Sequence, residues 1–174
     1  MDELEEALAL DVRRKIYNLL KRSPGLHFRE IQRRSKLATG SLQYHLDYLS
    51  KRHLVKQEKD LKFTRFYIVR QDFEGTTEMG ALRQKSLRKI ILFLLKKKRA
   101  NNDQISRQID LSPSTTSWHL DKLLEKGIVQ KKRSGRKTIY TLADPDKSAD
   151  VLVRFQKSFL DEMVDNFVEI WQQI

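Results

Sequence analysis

The sequence predicts a mainly α fold with small β-wings (α+β), made of one unit written twice and followed by an amphipathic helix. Three observations predict it. Shifted by 74 positions, residues 14–68 lie over residues 88–142 without a gap, and 13 of those 55 positions are identical, where ordinary residue usage gives about three. Within each copy, apolar residues recur at helical spacing in three successive stretches and then change to short β-type runs. Beyond Asp144-Pro145, apolar residues return at spacings of three, four and seven, the pattern of one more helix.

In the first copy, Val12, Ile16, Leu19 and Leu20 form a helical stripe, and Ser23-Pro24-Gly25 ends it, because Pro and Gly continue a helix only at a cost. A short second helix is expected over residues 27–35, with Phe28 and Ile31 inward, then a tight turn at residues 36–38. Thr39 reads as the cap of a third helix whose buried stripe is Leu42, Leu46 and Leu49. Residues 55–58 and 63–69 are β-type runs joined near Asp60-Leu61-Lys62.

The second copy has clearer punctuation. Ile90, Ile91, Phe93, Leu94 and Leu95 load its first helix, and Ile105 and Ile109 mark the second. Ser112-Pro113 supplies a cap and a first-turn proline. Thr116, Leu120, Leu123 and Leu124 line the third helix, which Gly127 ends. Residues 128–133 and 136–142 are strands joined through Ser134-Gly135, a hairpin-type turn.

The order helix, helix, turn, helix, β-ribbon, twice over, resembles the archaeal tandem winged helix-turn-helix regulators of the ArsR-like type. Copy one carries the resemblance in Phe28-Arg29-Glu30-Ile31, Gly40-Ser41-Leu42-Gln43-Tyr44-His45-Leu46-Asp47-Tyr48-Leu49 and Leu54-Val55. Copy two carries it in Asp103-Gln104-Ile105, Ser112 to Leu123, Gly127-Ile128-Val129 and the closing Thr138 to Leu142. The resemblance covers about residues 10–142 and implies a transcription regulator that binds double-stranded DNA. Three departures stand out. His53 replaces the usual helix-ending Gly, the first wing has Leu61 and no Gly at its tip, and Asp47 and Asp121 put acids on the third helices. The cysteine pairs of metal-sensing relatives are absent, so metal sensing does not carry over.

The candidate DNA contacts follow from the two faces of each third helix. With the leucines inward, copy one shows Thr39, Gly40, Ser41, Gln43 and Tyr44 outward, and copy two shows Ser114, Thr115, Ser117, Trp118 and Lys122. Short polar side chains near a helix N-terminus suit base edges and phosphates in the major groove. His45 and His119 read as structural, tying the third helix to a backbone group. The second wing adds Lys132, Arg133, Arg136 and Lys137, and the thinner first wing adds Lys59, Lys62 and Arg65. Such tips reach phosphates and the minor groove. Copy two is therefore expected to be the stronger reader.

Charge agrees. The formal net charge of +12 is the sum of a basic middle, residues 12–143, and two acidic ends, and it points to a polyanionic partner. With no Cys, a disulfide scaffold, thiolate zinc site or cysteine nucleophile is excluded. No phosphate-cradling glycine loop, HExxH string or two-metal acidic cluster is present, so no catalytic residue, metal or cofactor is expected. No apolar run is long enough to span a membrane, the acidic N-terminus is no secretory signal or transit peptide, and a cytoplasmic location is expected. The expected domains are residues 1–74, 75–144 and 145–174. The last is read as a single helix whose apolar face, with Phe159, Met163, Phe167, Ile170 and Trp171, either forms a homodimer contact, the preferred reading, or packs on the chain's own winged units. Leu4, Leu8 and Leu10 are expected to join it. Basal transcription factors are the alternative partner, with the chain as a protein-docking module.

Overall fold

A computed structural model describes residues 3–69 and 73–174, in two compact units, residues 1–76 and 77–174. The first contains α1 (Glu3–Ala7), α2 (Asp11–Arg22), β1 (Leu26–His27), α3 (Phe28–Ser35), α4 (Thr39–Lys51), β2 (Val55–Asp60) and β3 (Phe63–Ile68). Ile16, Leu20, Ile31, Leu42, Leu46 and Leu49 are wholly buried, so the leucine stripe of α4 does face the core. Leu4 and Leu8 pack against this same core, and Leu10 is about half exposed. Leu4 and Leu8 thus serve the core of the first unit.

α5 (Thr76–Arg83) leads into the second unit. There follow α6 (Lys85–Lys97), β4 (Arg99–Asn101), α7 (Asn102–Ile109), α8 (Pro113–Glu125), β5 (Val129–Ser134), β6 (Lys137–Leu142), α9 (Pro145–Arg154), α10 (Gln156–Phe159) and α11 (Glu162–Trp171). Each unit contains a three-stranded antiparallel sheet, ordered β1-β3-β2 and β4-β6-β5. The ribbon registers run Val55↔Ile68 to Asp60↔Phe63 and Val129↔Leu142 to Ser134↔Lys137. Each ribbon therefore turns over two residues, Leu61-Lys62 and Gly135-Arg136. The strands β1 and β4 were not foreseen, since two or three residues are too few to show a period of two.

The helix ends differ from expectation in informative ways. Thr39 is not a cap. Ala38 holds the N-cap position of α4 without a side-chain acceptor, and Thr39 Oγ1 accepts from Gln32 Nε2 at 2.7 Å. Ser112 does cap α8, accepting from the Thr115 N–H, with Pro113 in the first turn. His53 and Gly127 both take positive φ, 54° and 69°. The histidine thus adopts the left-handed conformation that its glycine counterpart reaches without strain.

The C-terminal segment is broken rather than continuous. Leu160 has φ of 53°, and Asp161 caps α11 through the Met163 N–H. The same carboxylate binds the Arg88 guanidinium at 2.7 Å, and Arg83 donates to the Ser158 carbonyl at 2.8 Å. Val151, Leu152, Val164 and Val168 are buried. Much of the segment's apolar surface is thus used inside the second unit, and Phe159 with it, beneath Arg83 and Arg88.

Candidate nucleic-acid interface

On α4 and α8 the buried stripe leaves the opposite face free, because residues i, i+4 and i+7 share one side of a helix. Thr39, Gly40, Gln43 and Tyr44 are exposed on the first, with Ser41 half-buried. On the second, Ser114, Thr115 and Trp118 are exposed, and Ser117 and Lys122 are half-buried. Tyr44 and Trp118 occupy equivalent places, 61% and 56% exposed. Each stands edge-on to the histidine that follows it. The Lys122 ammonium lies 2.9 Å from the Trp118 ring centroid, an attraction that fixes both side chains on the outer face.

Several of these polar groups are already positioned. Asn102 Nδ2 donates to Ser117 Oγ at 2.7 Å and to the Pro113 carbonyl at 3.1 Å, joining α7 to the start of α8. Ser112 Oγ is within hydrogen-bond distance of both Ser114 and Thr115 hydroxyls. In copy one, Gln43 Nε2 donates to Asp47 Oδ1 at 2.9 Å, so an acid competes there for the amide. Asn102 was missed by the sequence reading. Its signal was available, since it follows the capping-box residue Asn101 at the exposed start of α7.

The wings differ sharply. Lys132, Arg133, Arg136 and Lys137 are all exposed, and none has an ion pair among the described residues. Gly135 takes φ of 61° at the tip, as a two-residue turn between twisted strands requires. In the first wing Leu61 takes the equivalent φ of 57°, Lys56 is paired with Glu58 at 2.6 Å, and Lys62 lies over Phe63. Arg65 corrects the sequence reading. It is 2% exposed, with Nε donating to Asp60 at 2.6 Å and Nη1 to the Gly25 carbonyl at 3.0 Å. Strand alternation puts it on the face of β3 opposite the core residues Phe66 and Ile68, where Asp60 and the Gly25 carbonyl enclose it, so it is a buried residue of unit one and not an exposed wing cation.

Between α4 and the first wing lies an open concavity of about 620 Å³, whose walls include Arg29, Gln43, Asp47, Gln57 and Lys62. Arg29 also escaped the sequence reading, although inward Phe28 and Ile31 leave it the outer face of α3. His27 caps α3, accepting from the Glu30 N–H at 3.4 Å, and stacks on Phe63. Burial lowers its pKa; Arg65, Arg29 and Arg33 add to that and Glu30 opposes it. His45 and His119 are also lowered by burial, helped by Arg13 and Lys122 respectively. Their Nδ1 atoms are buried without a hydrogen-bond partner, and neither imidazole makes a hydrogen bond among the described residues, so the backbone bridge expected of them is not found there.

Residues 10–78 match a family model described as an N-terminal HTH domain, and residues 83–130 match one described as winged helix-turn-helix DNA-binding. The chain is a tandem winged helix-turn-helix protein. It is 31% identical over 140 residues to an HTH-type transcriptional regulator of Methanocaldococcus jannaschii, an alignment covering 80% of this chain and 35% of that one. The tandem protein thus spans about a third of the length of this archaeal relative. Among solved structures, the transcriptional repressor PagR of Bacillus anthracis aligns at 27% identity and TM-score 0.39, over 42% of this chain and 84% of its own. The cadmium sensor CMTR of Mycobacterium tuberculosis aligns at 28% and 0.37, over 42% and 77%.

Among the described residues of the tandem protein, no three His, Cys, Asp or Glu side chains gather as a metal site, and no helix is long and apolar enough to cross a membrane.

Proposed function

We propose that the protein is a sequence-specific regulator of transcription that binds double-stranded DNA. In this reading α4 and α8 enter the major groove, and the wings approach phosphates and the minor groove. The observation that carries it is the second unit. A capped helix there presents Ser114, Thr115 and Trp118 outward, and the same unit has a ribbon with four cations that have no ion pair among the described residues. Hydroxyls at a helix start can reach base edges or phosphates, and the tip cations supply salt-sensitive affinity. Unit one contributes less, since Gln43 is tied to Asp47, Lys56 to Glu58, and Arg65 is internal. Its outer face can equally serve as a docking surface for basal transcription factors.

The test is selection of bound duplexes from a random pool, followed by footprinting. The expected result is a short protected sequence whose affinity falls steeply with salt. Equal affinity for the selected and the random duplex overturns the proposal.

A further inference from the structure

The second unit holds a concavity that DNA binding does not use. α6 and α11 line it along facing stripes, and the end of α7 closes a third side. Its volume is about 500 Å³, inside the range of about 300–1,000 Å³ usual for small-molecule sites. The wall from α6 is Leu92 and Phe93, and that from α11 is Met163, Phe167, Ile170 and Trp171. These four recur at i, i+4, i+7 and i+8, so they share one side of the helix. The Phe167 and Trp171 rings stand 5.4 Å apart. Met163 remains 43% and Ile170 61% exposed, so the apolar surface of α11 is only partly covered by its own unit.

Charge distinguishes this groove from an ordinary apolar dent. Its charged lining residues are Lys89, Lys96 and Lys98, with no Asp or Glu. None of the three lysines has a side-chain ion pair or hydrogen bond among the described residues. The acids of α11 lie elsewhere, and Asp165 accepts from Gln156 at 2.8 Å. An apolar wall with an uncompensated cationic rim complements a guest with an apolar body and an anionic end.

We infer that this groove binds a single-chain amphiphile with an anionic head. Its tail lies against Phe93, Phe167, Ile170 and Trp171, and its head meets Lys89, Lys96 and Lys98. A second copy of the chain suits the groove less well. A two-fold contact sets a patch against itself, which here brings hollow against hollow and lysine rim against lysine rim.

The experiment uses the full chain with Trp118→Phe, which leaves Trp171 as the sole tryptophan. Dodecanoate and dodecyl phosphate, kept below their micelle concentrations, are titrated against Trp171 fluorescence, with calorimetry for stoichiometry. Dodecanol and dodecyltrimethylammonium are the controls. One anion per chain is expected, and the tighter of the two probes identifies the head. Replacing Lys89, Lys96 and Lys98 by Gln is expected to weaken anion binding by at least about tenfold and leave dodecanol unchanged. Ile170→Asp, on an exposed side chain, is expected to abolish binding of every probe with the circular dichroism unaltered. Equal affinity for the cationic amphiphile, or no loss in the triple variant, overturns the inference. So does a two-copy sedimentation mass with Trp171 shielded from quencher and neither anion bound, which assigns the groove to a second copy. None of these readouts involves DNA, so the inference stands or falls apart from the proposed function.

Discussion

Arg65 lies in β3 with its guanidinium enclosed by Asp60 and the Gly25 carbonyl. Removing one partner of a buried pair strands the other, at about 3–5 kcal/mol. Arg65→Ala is therefore expected to destabilise unit one by about that much, read by denaturant unfolding. A DNA contact at this position would instead give a stable protein with weaker binding. His27 is the second informative residue. Its Nδ1 accepts the Glu30 N–H, and burial holds its pKa below 6.5 in the folded state. The unfolded chain therefore takes up a proton more readily than the folded one as pH falls through 6.5, and stability declines until folded His27 also titrates. Asn101, the counterpart in copy two, caps α7 with no titratable group. His27→Asn should keep the cap and flatten the stability–pH curve below 6.5 in urea unfolding of the full chain. An unchanged slope would show that His27 is not its source.

At the scale of elements, the two third helices begin differently. α8 starts on Ser112 and Pro113, α4 on Ala38 with no acceptor. Because a good N-cap contributes about 1 kcal/mol, Ala38→Ser is expected to stabilise unit one by about that amount in urea melts. This asymmetry explains which parts of the sequence were legible. Ser-Pro is an unambiguous start signal, and the leucine stripes of both helices followed from spacing alone. Thr39 misled because its hydroxyl is held from outside the helix, by Gln32. The C-terminal break was hidden for another reason. Apolar residues keep their helical spacing across Leu160-Asp161, so periodicity cannot register a turn whose cause is one left-handed residue and a capping carboxylate. Asp161 and Ser158 also meet Arg88 and Arg83, partners more than 70 positions away, which local pattern cannot supply.

For the whole molecule, the repeat and the excess of positive charge were plain in the sequence, but the distribution of usable cations was not. Counting bases ranks the first wing lower by a little. The structure lowers it further by burying Arg65 and pairing Lys56. Arg133/Arg136→Ala is accordingly expected to cost more DNA affinity than Lys59/Lys62→Ala. It should also lower the slope of log affinity against log salt by about one for each phosphate left without its cation. A larger effect from the Lys59/Lys62 variant would reverse the ranking of the units. Neither outcome depends on the groove beside α11, whose aromatic wall and lysine rim are brought together from α6 and α11 and could not be read from either alone.

The Asp60–Arg65 pair also bears on how the chain avoids misassembly, a hazard of repeated units during folding. The positions 74 residues later are Ser134 and Ile139. If β3 paired with β5, it would bury an arginine with no carboxylate on its new neighbour. If β6 paired with β2, Ile139 would take the place of Arg65, and Asp60 would exchange its buried guanidinium for Lys137 opposite it. Two units of similar fold thus carry an internal check on which strand completes which sheet. Asp60→Ser combined with Arg65→Ile would erase it, and a greater misassembled fraction on refolding, resolved by gel filtration, is the expected result.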